Sequence, residues 1–418
     1  SQHRPLLQHL FFNKQRIPPH LRPRVWSSAS GASARREEHG PDYYPAMVHM
    51  GEGHAAVASA MNGNGESSPT TAKSAVGRQV DLDLPRTFPG NARVELCLPA
   101  LRRVLLAFAA HAPEVGYCQS MNFIAALLLV ATVLADDGEL HEEEDDESER
   151  RRRRESNGND NSKANSSKRK PFPQPPRAPT PREEETAFWL LVALADDSSS
   201  SSISVPAGGG AANDKKKSTR GGGGVGGIGG SSSPASSSSA HPHLPLAGSI
   251  LPPGMYGRDL KGCRVELGAL ARLLRPRQPR LAKHVFDALS CDASLLATEW
   301  FLCLFATSLP AETTARLWDS LFVEGNKVLH RAALALLKRH SKSLLAAGNA
   351  GSAMRAARDG AAGEHDAEGL LGTCFDGVGS LPMSRIEHAR KEAGKEVERE
   401  VAGRAARRAA GVGGGGRG

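Results

Sequence analysis

The sequence predicts an all-α protein with one ordered domain that is interrupted by long low-complexity segments. Apolar residues recur at helical spacing, as in Leu101, Val104, Leu105 and Phe108. No stretch alternates apolar and polar residues as a strand would, and no Asn-Gly turn joins two strand-like runs. Hydrophobic residues make up 39% of the 418, below the roughly 45–50% of globular domains, so the length does not indicate three packed domains.

The helices follow in chain order from their apolar spacing. The helix that carries Leu101 and Phe108 is expected to begin near Pro99. The apolar run 121–134 predicts a buried core helix, because a membrane span needs roughly 20 apolar residues. Further helices are predicted at 187–194, at 267–274 with its end at Pro276, at 295–309 with its end at Pro310, at 313–322 and at 328–337.

Composition predicts where the domain is interrupted. Disorder is expected in a small-residue loop at about 45–75 and in two insertions, an acidic and Arg-rich one at about 136–182 and a Ser/Gly-rich one at about 196–252. The apolar helices on either side of the insertions belong to one domain, 17–345, because loop closure costs grow slowly with length. A helical extension at 346–400 and a disordered tail at 401–418 follow; residues 1–16 form a flank, expected to be truncated because residue 1 is not Met.

Charge and cysteine content exclude several functional classes. The net charge of +8 suits an acidic partner, but its basic clusters lie in the first insertion and near the C-terminus, so no nucleic acid is expected. The basic residues of 385–408 suit either a solvated helix face or contact with an anionic membrane. Six scattered cysteines without C-x-x-C predict a reducing, cytoplasmic location and no metal site.

Two short polar motifs stand out against the apolar helices. In the first, residues 80–89, Pro85 and Pro89 stiffen the backbone around Arg86, and Asp83 is placed to hold its guanidinium by bidentate hydrogen bonds. In the second, residues 115–123, Gln119 lies at the front of the apolar helix. Each motif alone is more typical of a solvated arginine or a capping glutamine than of a catalytic group.

Together the motifs resemble those of the TBC domain, a helical family of GTPase-activating proteins for Rab-type small GTPases. The family's apolar-x-x-Asp-x-x-Arg motif matches Val80, Asp83 and Arg86, and its Tyr-x-Gln motif matches Tyr117 and Gln119. The usual continuation Gly-Met-Asn is present as Ser120-Met121-Asn122. Residues 185–189 and 258–338 resemble later parts of the family, in the same order.

The resemblance implies a two-lobed helical domain that accelerates GTP hydrolysis by a GTP-bound Rab and so regulates vesicle traffic. Arg86 would neutralise charge on the transferred phosphate, and Gln119 would orient the attacking water. Asp83 would orient Arg86, while Tyr117 and Asn122 would support the helix start. The protein would need no cofactor of its own, because the partner carries GTP and Mg²⁺, and it would be cytoplasmic or peripheral on endomembranes.

Two alternatives stay open at this level. One is a member of the family that binds a Rab without stimulating it, although retention of both the arginine and the glutamine favours activity. The other is a helical adaptor without GTPase contact, which would typically show internal repeats of about 30–45 residues. No such repeat is visible in the sequence.

Overall fold

The computed structural model describes residues 17–60, 69–135, 175–196, 249–257 and 259–412, and in these ranges every regular element is helical. The prediction of an all-α fold is thereby confirmed. The helices are α1 (Arg22–Ser30), α2 (Ala32–His39), α3 (Tyr43–Ala60), α4 (Pro69–Asp83), α5 (Ala92–His111), α6 (121–135), α7 (Pro181–Ala195), α8 (Lys261–Arg277), α9 (Pro279–Ala282), α10 (Ala293–Leu302), α11 (Ala311–Glu324), α12 (Lys327–Arg339), α13 (Ser341–Leu345), α14 (Ala350–Ala362), α15 (Ala367–Gly372) and α16 (Met383–Val412). In the described ranges, none of them combines the length and apolar character that a membrane span requires.

Local capping chemistry sets where several helices begin. The Asn91 side chain accepts hydrogen bonds from the backbone N–H groups of Arg93 and Val94, so α5 starts at Ala92 rather than near Pro99, which lies inside it. At the start of α7, Thr180 and Glu183 form a reciprocal capping box, and Pro181 between them occupies the first helical position. The predicted helices at 187–194, 313–322 and 328–337 are confirmed as the central parts of α7, α11 and α12.

The predicted loop at 45–75 is wrong over most of its length. Helices α3 and α4 cover it except at 61–68, which lie outside the described residues. The small residues that suggested a loop allow close helix packing instead. A Cβ added at Gly51 would lie 2.5 Å from the Leu106 carbonyl oxygen, and one at Gly77 would lie 2.7 Å from the Ala55 Cβ. Glycine at these positions therefore lets α3 approach α5 and α4 closely.

Two further boundaries differ from the prediction. The helix expected at 295–309 ends at Leu302, because Leu304 and Phe305 adopt positive φ angles of 49° and 65° and turn the chain while both side chains stay buried. The tail expected from 401 is helical through Val412, as a continuation of α16. The two predicted insertions lie outside the described residues except at their ends, 175–182, 196 and 249–252.

The helices pack as two lobes that share one hydrophobic core. In the first lobe α3, α4 and α7 pack around α5; in the second, α8 contacts α10 and α16, and α12 contacts α11. Helix α1 joins the lobes by packing on both α7 and α11. At that junction the Trp26 ring stacks on Phe322 with centroids 5.0 Å apart, and its indole Nε1 donates to Asp319 Oδ1 at 3.0 Å.

Asp319 is a buried carboxylate that joins two arginines. Arg316 Nη1 lies 3.0 Å from its Oδ2, and Arg22 Nε lies 3.4 Å from its Oδ1. Burial raises the pKa of Asp319 to about 6, and the Arg22 charge opposes that rise. With Arg22 on α1 and Asp319 on α11, the cluster fixes the junction between the lobes.

Replacing Asp319 is therefore expected to destabilise the whole fold. Asp319→Ala leaves two buried guanidinium groups short of an acceptor, which should lower the free energy of unfolding by about 3–5 kcal/mol in urea titrations. Asp81→Ala is the matched control, because Asp81 pairs with Arg102 at an exposed position and should cost only about 0.2–1 kcal/mol. Equal losses in the two variants would contradict this role of Asp319.

Candidate functional site

The first polar motif lies where α4 ends and the chain turns. Asp83 is the last residue of α4, and its side chain is only 2% exposed. A 3₁₀ turn over Leu84–Arg86 follows, with Pro85 inside it, and the Thr87 N–H closes the turn on the Leu84 carbonyl. The turn leaves the Arg86 side chain 64% exposed. The sequence-predicted arginine is thus presented at the surface beside a buried carboxylate.

The second motif forms the non-helical link between α5 and α6. Gly116 and Ser120 have positive φ angles of 65° and 114°, and Ser120 directly precedes α6. A φ of 114° favours glycine, so Ser120 is held in a strained backbone conformation. Gln119, just before it, is exposed, whereas Tyr117 is half-buried.

Asp83 connects the two motifs. Its Oδ2 accepts hydrogen bonds from the Tyr117 hydroxyl at 2.8 Å and from Gln79 Nε2 at 3.1 Å. Its Oδ1 lies 3.9 Å from Arg86 Nη1, which is an ion-pair distance. The predicted bidentate hydrogen bond between Asp83 and Arg86 is therefore wrong, because Tyr117 and Gln79 occupy the other carboxylate oxygen.

A second set of hydrogen bonds links Thr87 to the start of α6. The Thr87 hydroxyl donates to the Asp83 carbonyl oxygen at 3.0 Å and accepts from Asn122 Nδ2 at 2.8 Å. Asn122 is 1% exposed, and its Oδ1 accepts from the backbone N–H of Ser120 at 3.2 Å. The backbone after Arg86 is thereby tied to the backbone after Gln119.

The protonation states of the neighbouring Tyr117 and Cys118 side chains suit a structural role. Burial, together with the hydrogen bond to Asp83, raises the pKa of Tyr117 well above its usual range, so the hydroxyl remains a donor. Burial also raises the pKa of Cys118 to about 11, which keeps its thiol protonated and a poor nucleophile at neutral pH. In the two motifs, Arg86 and Gln119 are exposed with a guanidinium and an amide to offer to another molecule, whereas the exposed carboxylate of Asp81 already pairs with Arg102.

The arrangement presents a guanidinium and an amide on segments held by one hydrogen-bond network. Such groups can stabilise negative charge and position a polar molecule in a partner's site. In the part of the chain that the structure describes, no three His, Cys, Asp or Glu side chains cluster as metal ligands would. The exposed Arg86 and Gln119 are groups that suit such electrostatic and positioning chemistry.

Two residues of the network had no role assigned from the sequence. Thr87 was part of the first motif, but its partner Asn122 is 35 positions away along the chain. Gln79 lies one helical turn before Asp83, and that i, i+4 spacing was the available signal for their contact.

The Asn122–Thr87 hydrogen bond is expected to stabilise the fold locally. Asn122→Ala leaves the Thr87 hydroxyl and the Ser120 N–H without their partner, and the free energy of unfolding should fall by about 1–3 kcal/mol. Thr87→Val removes the same bond from the other side, so the double variant should be less destabilised than the sum of the two single variants. Urea denaturation of the four proteins of this cycle measures the coupling, and strict additivity would contradict the link.

Comparison with known proteins identifies a family for this chain. A family model described as the Rab-GTPase-TBC domain matches residues 19–205 and 246–345. The chain is 26% identical over 399 residues to growth hormone-regulated TBC protein 1 of Mus musculus, which covers 90% of this chain and 77% of that protein. It is 25% identical over 336 residues to the Homo sapiens protein of that name, covering 79% of this chain and 63% of the relative.

Solved structures agree with that match. The crystal structure of the Chlamydomonas flagellar RabGAP TBC domain superposes with a TM-score of 0.55 at 29% identity, covering 90% of this chain and 91% of that one. The Ypt/Rab-GAP domain of Gyp1p has the same fold at 16% identity, with a TM-score of 0.53 over 90% of this chain and 92% of that one. Because the family model covers well over half of the sequence, the chain belongs to the Rab-GTPase-TBC domain family.

Proposed function

We propose that this protein accelerates GTP hydrolysis by a GTP-bound Rab-type GTPase, to which it supplies Arg86 and Gln119. The observation that supports this proposal best is the hydrogen-bond network that joins the two motifs while leaving those two side chains exposed. The partner would carry GTP and Mg²⁺ in its own site. The protein would contribute two side chains and no cofactor.

Arg86 would act on the charge that develops during phosphoryl transfer. Negative charge spreads over the γ-phosphate oxygens and towards the leaving oxygen, and an arginine supplied by an activating protein neutralises it. The planar guanidinium suits this role because it can donate to two oxygens at once. The contact with Asp83, at 3.9 Å, orients the group while leaving its N–H donors available to the partner.

Gln119 would position the attacking water. A carboxamide carries both an acceptor and donors, so it can hold a water in line with the phosphorus while it contacts the partner. The Ser120 N–H is held by Asn122, which fixes the backbone next to Gln119 before any partner arrives. This preorganisation would reduce the cost of ordering the segment when the complex forms.

The cellular role would be regulation of vesicle traffic from the cytoplasm, with peripheral contact at endomembranes. The basic residues of α16 are less available for a membrane than their number suggests. Arg390 donates to Glu266, Arg404 to Glu400 and Lys395 to Glu392. Any membrane contact would therefore depend on basic groups of the protein that lack such acidic partners.

Single-turnover GTP hydrolysis tests the proposal. A panel of purified GTP-loaded Rabs is measured with and without this chain, and at least one Rab is expected to hydrolyse GTP much faster in its presence. A Rab that binds the chain in its GTP form without faster hydrolysis would instead indicate a silent scaffold of the same fold. No binding and no acceleration across the panel would contradict a Rab partner altogether.

A further inference from the structure

A second polar surface lies between the end of α8 and the start of α16, in the lobe opposite to the Arg86–Gln119 motifs. It is an open cleft of about 570 Å³. Its charged and titratable lining residues are Arg272, Arg277, Arg385, His388 and Glu392. Volumes of about 300–1,000 Å³ are typical of small-molecule sites, so the cleft is large enough for a phosphorylated ring.

The acidic groups near the cleft already have basic partners. Glu392 accepts from Lys395 Nζ at 2.8 Å, and Glu396 pairs with Arg272 across the two helices. Among the described residues, no carboxylate lies within ion-pair distance of Arg277 or Arg385. Two positive charges of the cleft thus lack a carboxylate partner within the described residues.

Arg277 is held in place without being neutralised. Its Nη1 donates to the Leu273 carbonyl at 3.2 Å, and its Nη2 donates to the Ser380 carbonyl at 3.0 Å. Burial, with the nearby charges of Arg385 and Arg331, lowers the pKa of Arg277. Backbone carbonyls fix the guanidinium and leave its full positive charge facing the cleft.

Helix stability does not account for Arg385. The last turn of α8 favours cations because of the helix dipole, and both Arg275 and Arg277 lie there; Arg275 also pairs with Asp287 at 3.0 Å. Arg385, by contrast, lies in the first turn of α16, where the dipole disfavours a positive charge. Arg385 is therefore a cation at the helix end where the dipole disfavours positive charge, and it lies near a second cation, Arg277. This arrangement suits an anionic ligand.

We propose that this cleft binds a phosphate-bearing ligand, with Arg277 and Arg385 as its charged contacts. Guanidinium groups match phosphate oxygens bidentately, and the Ser384 hydroxyl, which also lines the cleft, adds a hydrogen-bond donor. A lipid headgroup and a free phosphorylated metabolite share this chemistry. The site is independent of the proposed GTPase activation, because its readout is binding by this chain alone.

Titration calorimetry with inositol 1,4,5-trisphosphate tests the site directly. Wild-type chain is expected to bind, and Arg385→Gln should weaken binding about tenfold, as loss of one charge-assisted hydrogen bond does. Arg385 is exposed, so this variant should fold normally, which a thermal melt checks. Arg275→Gln is the matched control and should bind like wild type. No binding by wild type, or equal weakening by both variants, would overturn the proposal.

Vesicle sedimentation distinguishes the two sources of phosphate. Vesicles of phosphatidylcholine with phosphatidylinositol 4,5-bisphosphate are compared with phosphatidylserine vesicles of equal charge. Arg385-dependent binding to the former alone indicates a lipid headgroup, and calorimetric binding without sedimentation indicates a soluble ligand. Equal binding to both vesicles that does not depend on Arg385 would reflect diffuse charge and contradict a defined site.

Discussion

Arg86→Ala should abolish most of the stimulated GTP hydrolysis, with an expected loss of roughly 10³- to 10⁵-fold in the single-turnover rate. The physical reason is the loss of the one exposed guanidinium that the Asp83–Thr87 turn presents. Since the ion pair of Arg86 with Asp83 is long, at 3.9 Å, and the arginine is mostly exposed, the fold should tolerate its removal. The loss should therefore appear in hydrolysis while the melting temperature stays near that of wild type.

Two variants make this result specific. Arg86→Lys keeps the charge but loses the planar donors that can contact two phosphate oxygens, so it should remain strongly impaired. Arg78→Ala removes an exposed arginine from the same helix that leads into the turn. This variant should stimulate GTP hydrolysis by the Rab as strongly as wild type does. If Arg86→Ala stimulates a responsive Rab as well as wild type does, Arg86 is not the catalytic arginine.

Gln119→Ala should lower the stimulated rate by about 10²- to 10³-fold, the range found when one preorganised polar group is removed from a transition state. The amide is exposed and has no side-chain hydrogen bond to the residues that the structure describes, so the fold and the binding of the GTP-loaded partner should persist. Hydrolysis and binding are measured on the same Rab. A fall in hydrolysis without a matching fall in affinity identifies a role in the reaction itself.

Cys118→Ser is the matched control for Gln119→Ala. It changes the adjacent side chain, whose thiol donates to the Gln119 carbonyl oxygen at 3.4 Å, and a hydroxyl can replace that donor. The stimulated rate of GTP hydrolysis should then stay close to that of wild type. Similar losses in Cys118→Ser and Gln119→Ala would show that the segment is sensitive as a whole and would argue against a specific role for the amide.

The sequence predicted the helical class well but some of its boundaries poorly. Apolar spacing is a local property, so helices such as α11 and α12 appear at their predicted places. The segment 45–75 was misjudged because glycine and alanine suit a loop and a close helix contact equally. Only the approach of Leu106 to Gly51 and of Ala55 to Gly77 distinguishes the two.

For the candidate site, the sequence alone determined the prediction: Arg86 and Gln119 as the reactive groups, with Asp83, Tyr117 and Asn122 around them, each marked by a short motif. Tertiary structure alone decided how these residues are paired. Asp83 contacts Tyr117 across 34 positions of sequence and Thr87 contacts Asn122 across 35, and a hydrogen bond between such distant residues exists only once α4, α5 and α6 have packed. Motifs depend on neighbours along the chain, whereas the orientation of a catalytic side chain depends on neighbours in space.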